Sequence, residues 1–169
     1  MEDSRDTNTW IFTYGPDMQT RDLPRWLNQN APFFADILVE SQGAILPDHR
    51  LVWDYFSPTR RGGAANVERQ LGSEVAGVAI RIKTAGLCTI DRKEGHPRRY
   101  SRGGQRCRVR LLRSGTYIDA WVYKVLPPYR ETQFVPPRRR DLATMIEGAR
   151  QFALPRAYIA FLQQTQTVD

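Results

Sequence analysis

The spacing of apolar positions changes along the chain. From Trp10 to Val125 they alternate with polar residues or run together, and from Leu142 onward they recur every third or fourth residue. The first pattern is that of strands and the second that of helices. Trp10-Ile11-Phe12-Thr13-Tyr14 is a β-branched and aromatic run stopped by Gly15-Pro16-Asp17, which predicts a strand and a break. Leu23, Trp26 and Leu27 fall on one helical face, with Asp22 placed to cap and Pro24 just inside, which predicts a short helix. Two strands are expected over Asp36–Glu40 and Leu51–Phe56, separated by a loop through Gly43, Pro47 and Asp48. Ser57 to Gly63 reads as a loop, and Ala64 to Glu68 as an extended piece with small side chains.

Val75 to Ile82 is apolar at nearly every position, as in a strand covered on both faces. Arg106 to Leu111 alternates strictly, with Cys107, Val109 and Leu111 on one side and arginines on the other. Arg113-Ser114-Gly115-Thr116 turns the chain into a second alternating strand, Tyr117–Val125, predicting a hairpin. Pro127-Pro128 and Pro136-Pro137 bracket an irregular connector. Leu142, Met145, Ile146 and Ala149 then define an amphipathic helix, and after Leu154-Pro155 the residues Tyr158, Ile159 and Leu162 define another. Strands first and helices last predict an α+β fold: a mixed, mainly antiparallel sheet or small β-barrel flanked by helices.

A length of 169 residues suits one domain, expected over residues 10–169 behind a disordered tail at 1–9. Such a domain buries about two-thirds of its unfolded surface, so it can stand without a metal or disulfide. No run approaches the ~18 apolar residues of a membrane span. The acidic, polar stretch Met1–Asp6 does not resemble a signal peptide. Cys88 and Cys107 are too few for a disulfide framework and have no zinc spacing. Their apolar neighbours predict small core residues in a reducing, cytoplasmic setting.

The formal charge of +7 points to an anionic partner or surface. Its excess is concentrated: Arg98, Arg99, Arg102, Arg106, Arg108, Arg110 and Arg113 follow one another with no acidic residue between. With Tyr100, Tyr117 and Trp121 nearby, such a run can hold a phosphate backbone and stack bases. One face of a half-buried strand, or the rim of a site for an acidic substrate, would look the same.

Candidate chemistry is sparse. His49 and His96 lie far apart and read as surface or loop histidines. No Ser–His–Asp pattern, phosphate loop or dinucleotide fingerprint is present. Two places remain. In Tyr14-Gly15-Pro16-Asp17-Met18, consecutive amides after a strand can hold an anion, although a plain turn has the same residues. In Ile90-Asp91-Arg92-Lys93-Glu94-Gly95-His96, a carboxylate beside a glycine can face a pocket, although a charged surface loop looks alike.

Their order is more informative. The Tyr-Gly turn is followed by Gly-Gly-Ala-Ala-Asn at 62–66, Glu-Val-Ala-Gly-Val at 74–78 and Ile-Asp-x-x-Glu-Gly at 90–95, with Tyr100 behind. Glu147-Gly148-Ala149-Arg150, Leu154-Pro155 and Tyr158 close the series. This succession resembles the gamma-glutamylcyclotransferase-like family from about residue 10 to 163. The 74–78 and 91–95 segments are its more specific matches.

The resemblance implies a cyclotransferase that converts a γ-glutamyl amide to 5-oxoproline and a free amine. Glu94 would be the general acid/base, and Tyr14, Gly15, Pro16, Asp17, Met18 and Tyr100 would form the substrate site. It implies no metal and no cofactor, and a small γ-glutamyl compound as partner rather than nucleic acid or membrane. Asp91 is expected to be a structural loop carboxylate. Pro16-Asp17 departs from the family's usual Ser-Asn and removes one amide donor from the turn. That departure keeps open a catalytically altered relative serving as a binding or scaffold protein, beside the arginine-rich nucleic-acid-binding module. Within the enzyme reading, the arginine run predicts an anionic leaving part.

Overall fold

A computed structural model describes residues 7–19, 22–30 and 37–169. Five strands close into a barrel: β1 (Asn8–Thr13), β2 (Leu38–Ser57), β3 (Gly62–Lys83), β5 (Cys107–Leu111) and β6 (Tyr117–Val122). Their order is β1-β3-β2-β5-β6, and β6 returns to β1 in the one parallel pairing of the barrel. The other pairings are antiparallel, as the patterning predicts. A small second sheet pairs β4 (Tyr100–Ser101) with β7 (Lys124–Val125). The helices are α1 (Asp22–Asn30), α2 (Leu87–Glu94), α3 (Arg139–Gln151) and α4 (Arg156–Gln163).

Inward side chains of all five barrel strands form one buried cluster. Phe12, Leu46, Val75, Val78, Val109 and Val122 belong to it, and α3 and α4 add Met145 and Leu162. Each such fully buried side chain contributes about 1.5–3 kcal/mol. An exposed ion pair contributes about 0–1 kcal/mol, so the core rather than the arginine-rich surface holds the barrel together.

Several expectations need correction. Residues 1–6 lie outside the described residues, but Asn8 and Thr9, placed in a tail, are strand residues paired with Lys83 and Ile82. Asp36 also lies outside the described residues, as do the side chains of Asp22 and Leu27. The two strands expected over 36–40 and 51–56 are one strand, β2, with no intervening loop. Its register against β3 shifts between Pro47 and His49, and Asp48 takes φ 55° there. Pro47-Asp48 thus marks a bulge inside a continuous strand, a position that tolerates both a proline and a positive φ.

The long β2–β3 hairpin runs past the barrel, and its outer half (Trp53, Tyr55, Gly63, Ala65) helps to wall the cavity described below. Cys88 is exposed and so is not the core residue expected, while Cys107 is half-buried and packs against the core. His49, expected on the surface, is only 7% exposed. Among the described residues no helix is long and apolar enough to cross a membrane.

Candidate active site

Where β1 ends, Gly15 precedes a 3₁₀ turn over Pro16–Met18. The Met18 amide donates to Gly15 O at 3.0 Å and the Gln19 amide to Pro16 O at 3.1 Å, closing the turn on itself. Helix α3 seats on this turn through Gly148: a Cβ there would lie 2.7 Å from Gln19 N and 2.8 Å from the Met18 carbonyl carbon. Gly77 does the same beneath β1, where a Cβ would meet Thr13 O at 2.4 Å. Two glycines of the family-like segments therefore exist to let backbone approach the end of β1.

Most of the segment Ile90–His96, for which a charged surface loop was one reading, belongs to helix α2 (Leu87–Glu94). The helix ends at Glu94 because Gly95 adopts φ 75° and caps it, its amide donating to Arg92 O at 3.2 Å. The Glu-Gly pair thus fixes a carboxylate on the last turn of a helix. Glu94 and the Gly15–Asp17 turn line the same cavity of 370 Å³. Its other walls include Trp53, Tyr55, Tyr14, Tyr100, Ala65 and Tyr123.

The polar groups of this cavity are mostly fixed from within. The Tyr14 hydroxyl donates to Tyr123 O at 2.5 Å and the Tyr100 hydroxyl to Ala65 O at 3.0 Å. Tyr55 packs edge-on to Tyr100 with ring centroids 5.7 Å apart. Arg60 bonds Asp141 Oδ1 at 3.2 Å, while Asp141 Oδ2 is buried with no partner among the described residues. The amides of Gly15 and Asp17 likewise meet no protein acceptor among the described residues.

Lys93 Nζ bridges Asp17 Oδ2 at 2.8 Å and Glu94 Oε1 at 3.1 Å, tying helix α2 to the turn. Burial pushes the Glu94 carboxyl above its ordinary value, and the nearby Asp17 charge adds to this. The Lys93 ammonium opposes both without cancelling them. Burial also pushes the Tyr14 hydroxyl well above its usual range, so it stays neutral.

Of the residues expected at the site, Glu94, Tyr14, Gly15, Pro16, Asp17 and Tyr100 line this one cavity. Met18 does not: its side chain is fully buried in the core and its amide is spent inside the turn. Asp91 is a helix carboxylate rather than a loop one, and it holds α2 in place. It accepts two bonds from Arg102, at 2.7 and 3.0 Å, and one from the Tyr123 hydroxyl at 2.7 Å. The arginine run is not a rim of this cavity. Of its members only Arg99 lines it, and the anionic preference argued from the run has no basis in the structure. Lys93, Arg60 and Asp141 were not anticipated. Only Lys93 carried a signal, as the residue preceding Glu94.

A closed barrel of this order, with a strand-end turn facing a helix-end glutamate, defines the class of fold. The model of the "Gamma-glutamyl cyclotransferase, AIG2-like" family matches residues 11–149, and the chain belongs to that family. Among solved structures it is similar to a gamma-glutamyl cyclotransferase at 22% identity, TM-score 0.77, over 96% of this chain and 90% of that one. A Homo sapiens protein described as uncharacterized is similar at 22% identity and TM-score 0.78, over 97% and 91%. A yeast gamma-glutamyl cyclotransferase described as specific to glutathione has 11% identity and TM-score 0.61, over 93% and 94%. These likenesses show the fold. A search of the curated proteins finds no match.

Proposed function

We propose that this chain is a cyclotransferase, a single domain from β1 at Asn8 onward, that cleaves a γ-glutamyl amide to 5-oxoproline and a free amine. The observation that carries this reading is Glu94: a carboxylate with raised proton affinity, in the cavity that also holds the amides of Gly15 and Asp17, which meet no protein acceptor among the described residues. The substrate's α-amine attacks its own γ-carbonyl carbon, forming the ring C–N bond. Free α-amines titrate near 7.7–8.0, so at neutral pH much of the substrate must first lose a proton. That proton goes to solvent; the neutral amine gives a second proton to Glu94 as the ring C–N bond forms, and Glu94 delivers it to the leaving nitrogen as the old C–N bond breaks. No atom is gained from water and no electron changes hands.

The remaining barrier is lowered by geometry. Ring closure is intramolecular, and holding the chain in its folded form offsets several kcal/mol of ordering. An amide donor at the developing oxyanion is worth about 3 kcal/mol, and Gly15 and Asp17 supply two candidates. Tyr14 and Tyr100 serve as walls, since both hydroxyl protons are already committed. The yeast neighbour's description names glutathione as one substrate to try.

The test is release of 5-oxoproline from a panel of γ-glutamyl peptides, amines and glutathione, with Glu94→Gln beside the wild type. The variant is expected to fold and to lose about a hundredfold or more in turnover. Undiminished release in the variant, or none from any compound with wild type, would sink the assignment.

A further inference from the structure

Three members of the arginine run, Arg102, Arg106 and Arg108, line a second cavity. It has a volume of 790 Å³ and lies between the β2–β3 bulge and the segment joining β4 to β5. Arg69, Arg106, Arg108 and Lys124 line it and pair with no carboxylate among the described residues. Arg102 also lines it but is neutralised by Asp91. Against these four cations stands one lining carboxylate, Asp48, which accepts the Gly72 amide at 3.0 Å. The amides of Gly104 and Gln105 on its wall donate to no acceptor among the described residues.

The floor is built around His49. Its Nδ1 lies 2.8 Å from Pro47 O and its Nε2 lies 2.8 Å from Lys124 Nζ. A carbonyl can only accept, so Nδ1 carries the proton and Nε2 accepts from the ammonium. The ring is therefore neutral and positions Lys124 without cancelling its charge. Burial lowers the His49 proton affinity, consistent with that tautomer.

We propose that this cavity binds a small molecule carrying a diphosphate group. Three net positive charges in a concave site match a diphosphate, and free amides beside guanidinium forks are suited to phosphate oxygens. A nucleic acid strand fits less well. Arg102 and Arg106 lie over the Trp121 ring at 4.4 and 5.3 Å, and Arg108 over Tyr117 at 4.9 Å, so bases would compete with guanidinium groups for those rings. The site lies apart from the Glu94 cavity and does not depend on the reaction proposed there.

Calorimetric titration of the full chain with inorganic pyrophosphate tests this, beside a mixed-sequence single-stranded oligonucleotide. One saturable site per chain is expected for pyrophosphate. The Arg69→Gln/Arg108→Gln double variant should weaken it about a hundredfold, at about tenfold for each charge-assisted bond removed. Arg98→Gln/Arg113→Gln removes the same charge outside the cavity and should change it less than about threefold, as expected of screened charges. Melting temperature checks the fold of each variant. Absence of saturable pyrophosphate binding, or equal losses in the two double variants, overturns the proposal. So does tighter, steeply salt-dependent binding of the oligonucleotide.

Discussion

Gly148 offers a test of how the turn is held, because its surroundings are backbone and cannot yield cheaply. A Cβ at this position would stand 2.7 Å from Gln19 N, 2.8 Å from the Met18 carbonyl carbon and 2.9 Å from Met18 Cβ. Ordinary contact begins near 3.4 Å, so Gly148→Ala forces α3 and the turn apart by about 0.7 Å. Overpacking of this kind costs about 1–3 kcal/mol, and the better helix propensity of alanine returns about 1 kcal/mol. A net loss of about 1 kcal/mol lowers the melting temperature by about 2–4 °C in a chain of this length. Turnover should suffer more than stability does. Displacing the turn from Glu94 by such a distance costs about tenfold, given that a full ångström costs about a hundredfold. Thermal melting by circular dichroism and 5-oxoproline release read the two effects separately. A variant that melts at or above the wild-type temperature and turns over normally would refute the packing argument.

Two further outcomes follow from the charges at the site. Glu94 must be ionised to act as a base, so the acid limb of kcat/KM reports its titration. Removing the ammonium in Lys93→Met removes what holds its proton affinity down, and the limb should move to higher pH. Asp17→Asn removes a neighbouring negative charge and should move it to lower pH. Shifts in the same direction, or none, would contradict the assignment of Glu94. For Asp91, burial raises proton affinity, but the bonds from Arg102 and Tyr123 outweigh it and hold the carboxyl below its ordinary 3.8. Its contribution is thus fully present above pH 3.8 and is lost as pH falls through the folded-state value. Asp91→Ala should cost about 2–3 kcal/mol at neutral pH in urea denaturation, with the gap to wild type closing below that pH. A gap that stays constant into acid would count against the Arg102–Asp91–Tyr123 cluster.

What the sequence could reveal divides along the range of the interactions involved. Alternation over 106–125 and the helical period after Leu142 are local signals, and both survive in β5, β6, α3 and α4. The continuity of β2 was hidden because Pro47 and Asp48 carry turn chemistry, which a bulge uses equally well. Helix α2 was hidden by its length of 8 residues and its four charges, which leave only Thr89 and Ile90 to mark a buried face. Glu94, Tyr14 and Gly15 were found through the order of motifs, while Arg60 and Asp141 are joined across 81 positions and carry no local mark. The arginine run illustrates the limit most clearly. Its composition was plain, but the backbone sends only Arg99 to the cavity it was expected to rim and Arg102, Arg106 and Arg108 to a different one.

Pro16 and Asp17, the chain's departures from the usual Ser-Asn, have different consequences in three dimensions. Pro16 opens a 3₁₀ turn, at the position where its fixed φ is favourable and its missing N–H takes no part in the closing bonds. The fold therefore loses nothing by it; only a ligand would miss the donor, and Gly15 and Asp17 remain to either side. Asp17 has the larger electrostatic consequence, because a carboxylate beside Glu94 adds to burial in raising its proton affinity. Lys93, one residue before Glu94 on the same helix end, offsets that charge through contacts of 2.8 and 3.1 Å. The two residues then form a single electrostatic unit, with Asp17 raising and Lys93 lowering the proton affinity of Glu94. On this reasoning the double variant Asp17→Asn/Lys93→Met should place the acid limb between those of the single variants. A double variant lying outside that interval would refute the opposed action of the two charges on Glu94.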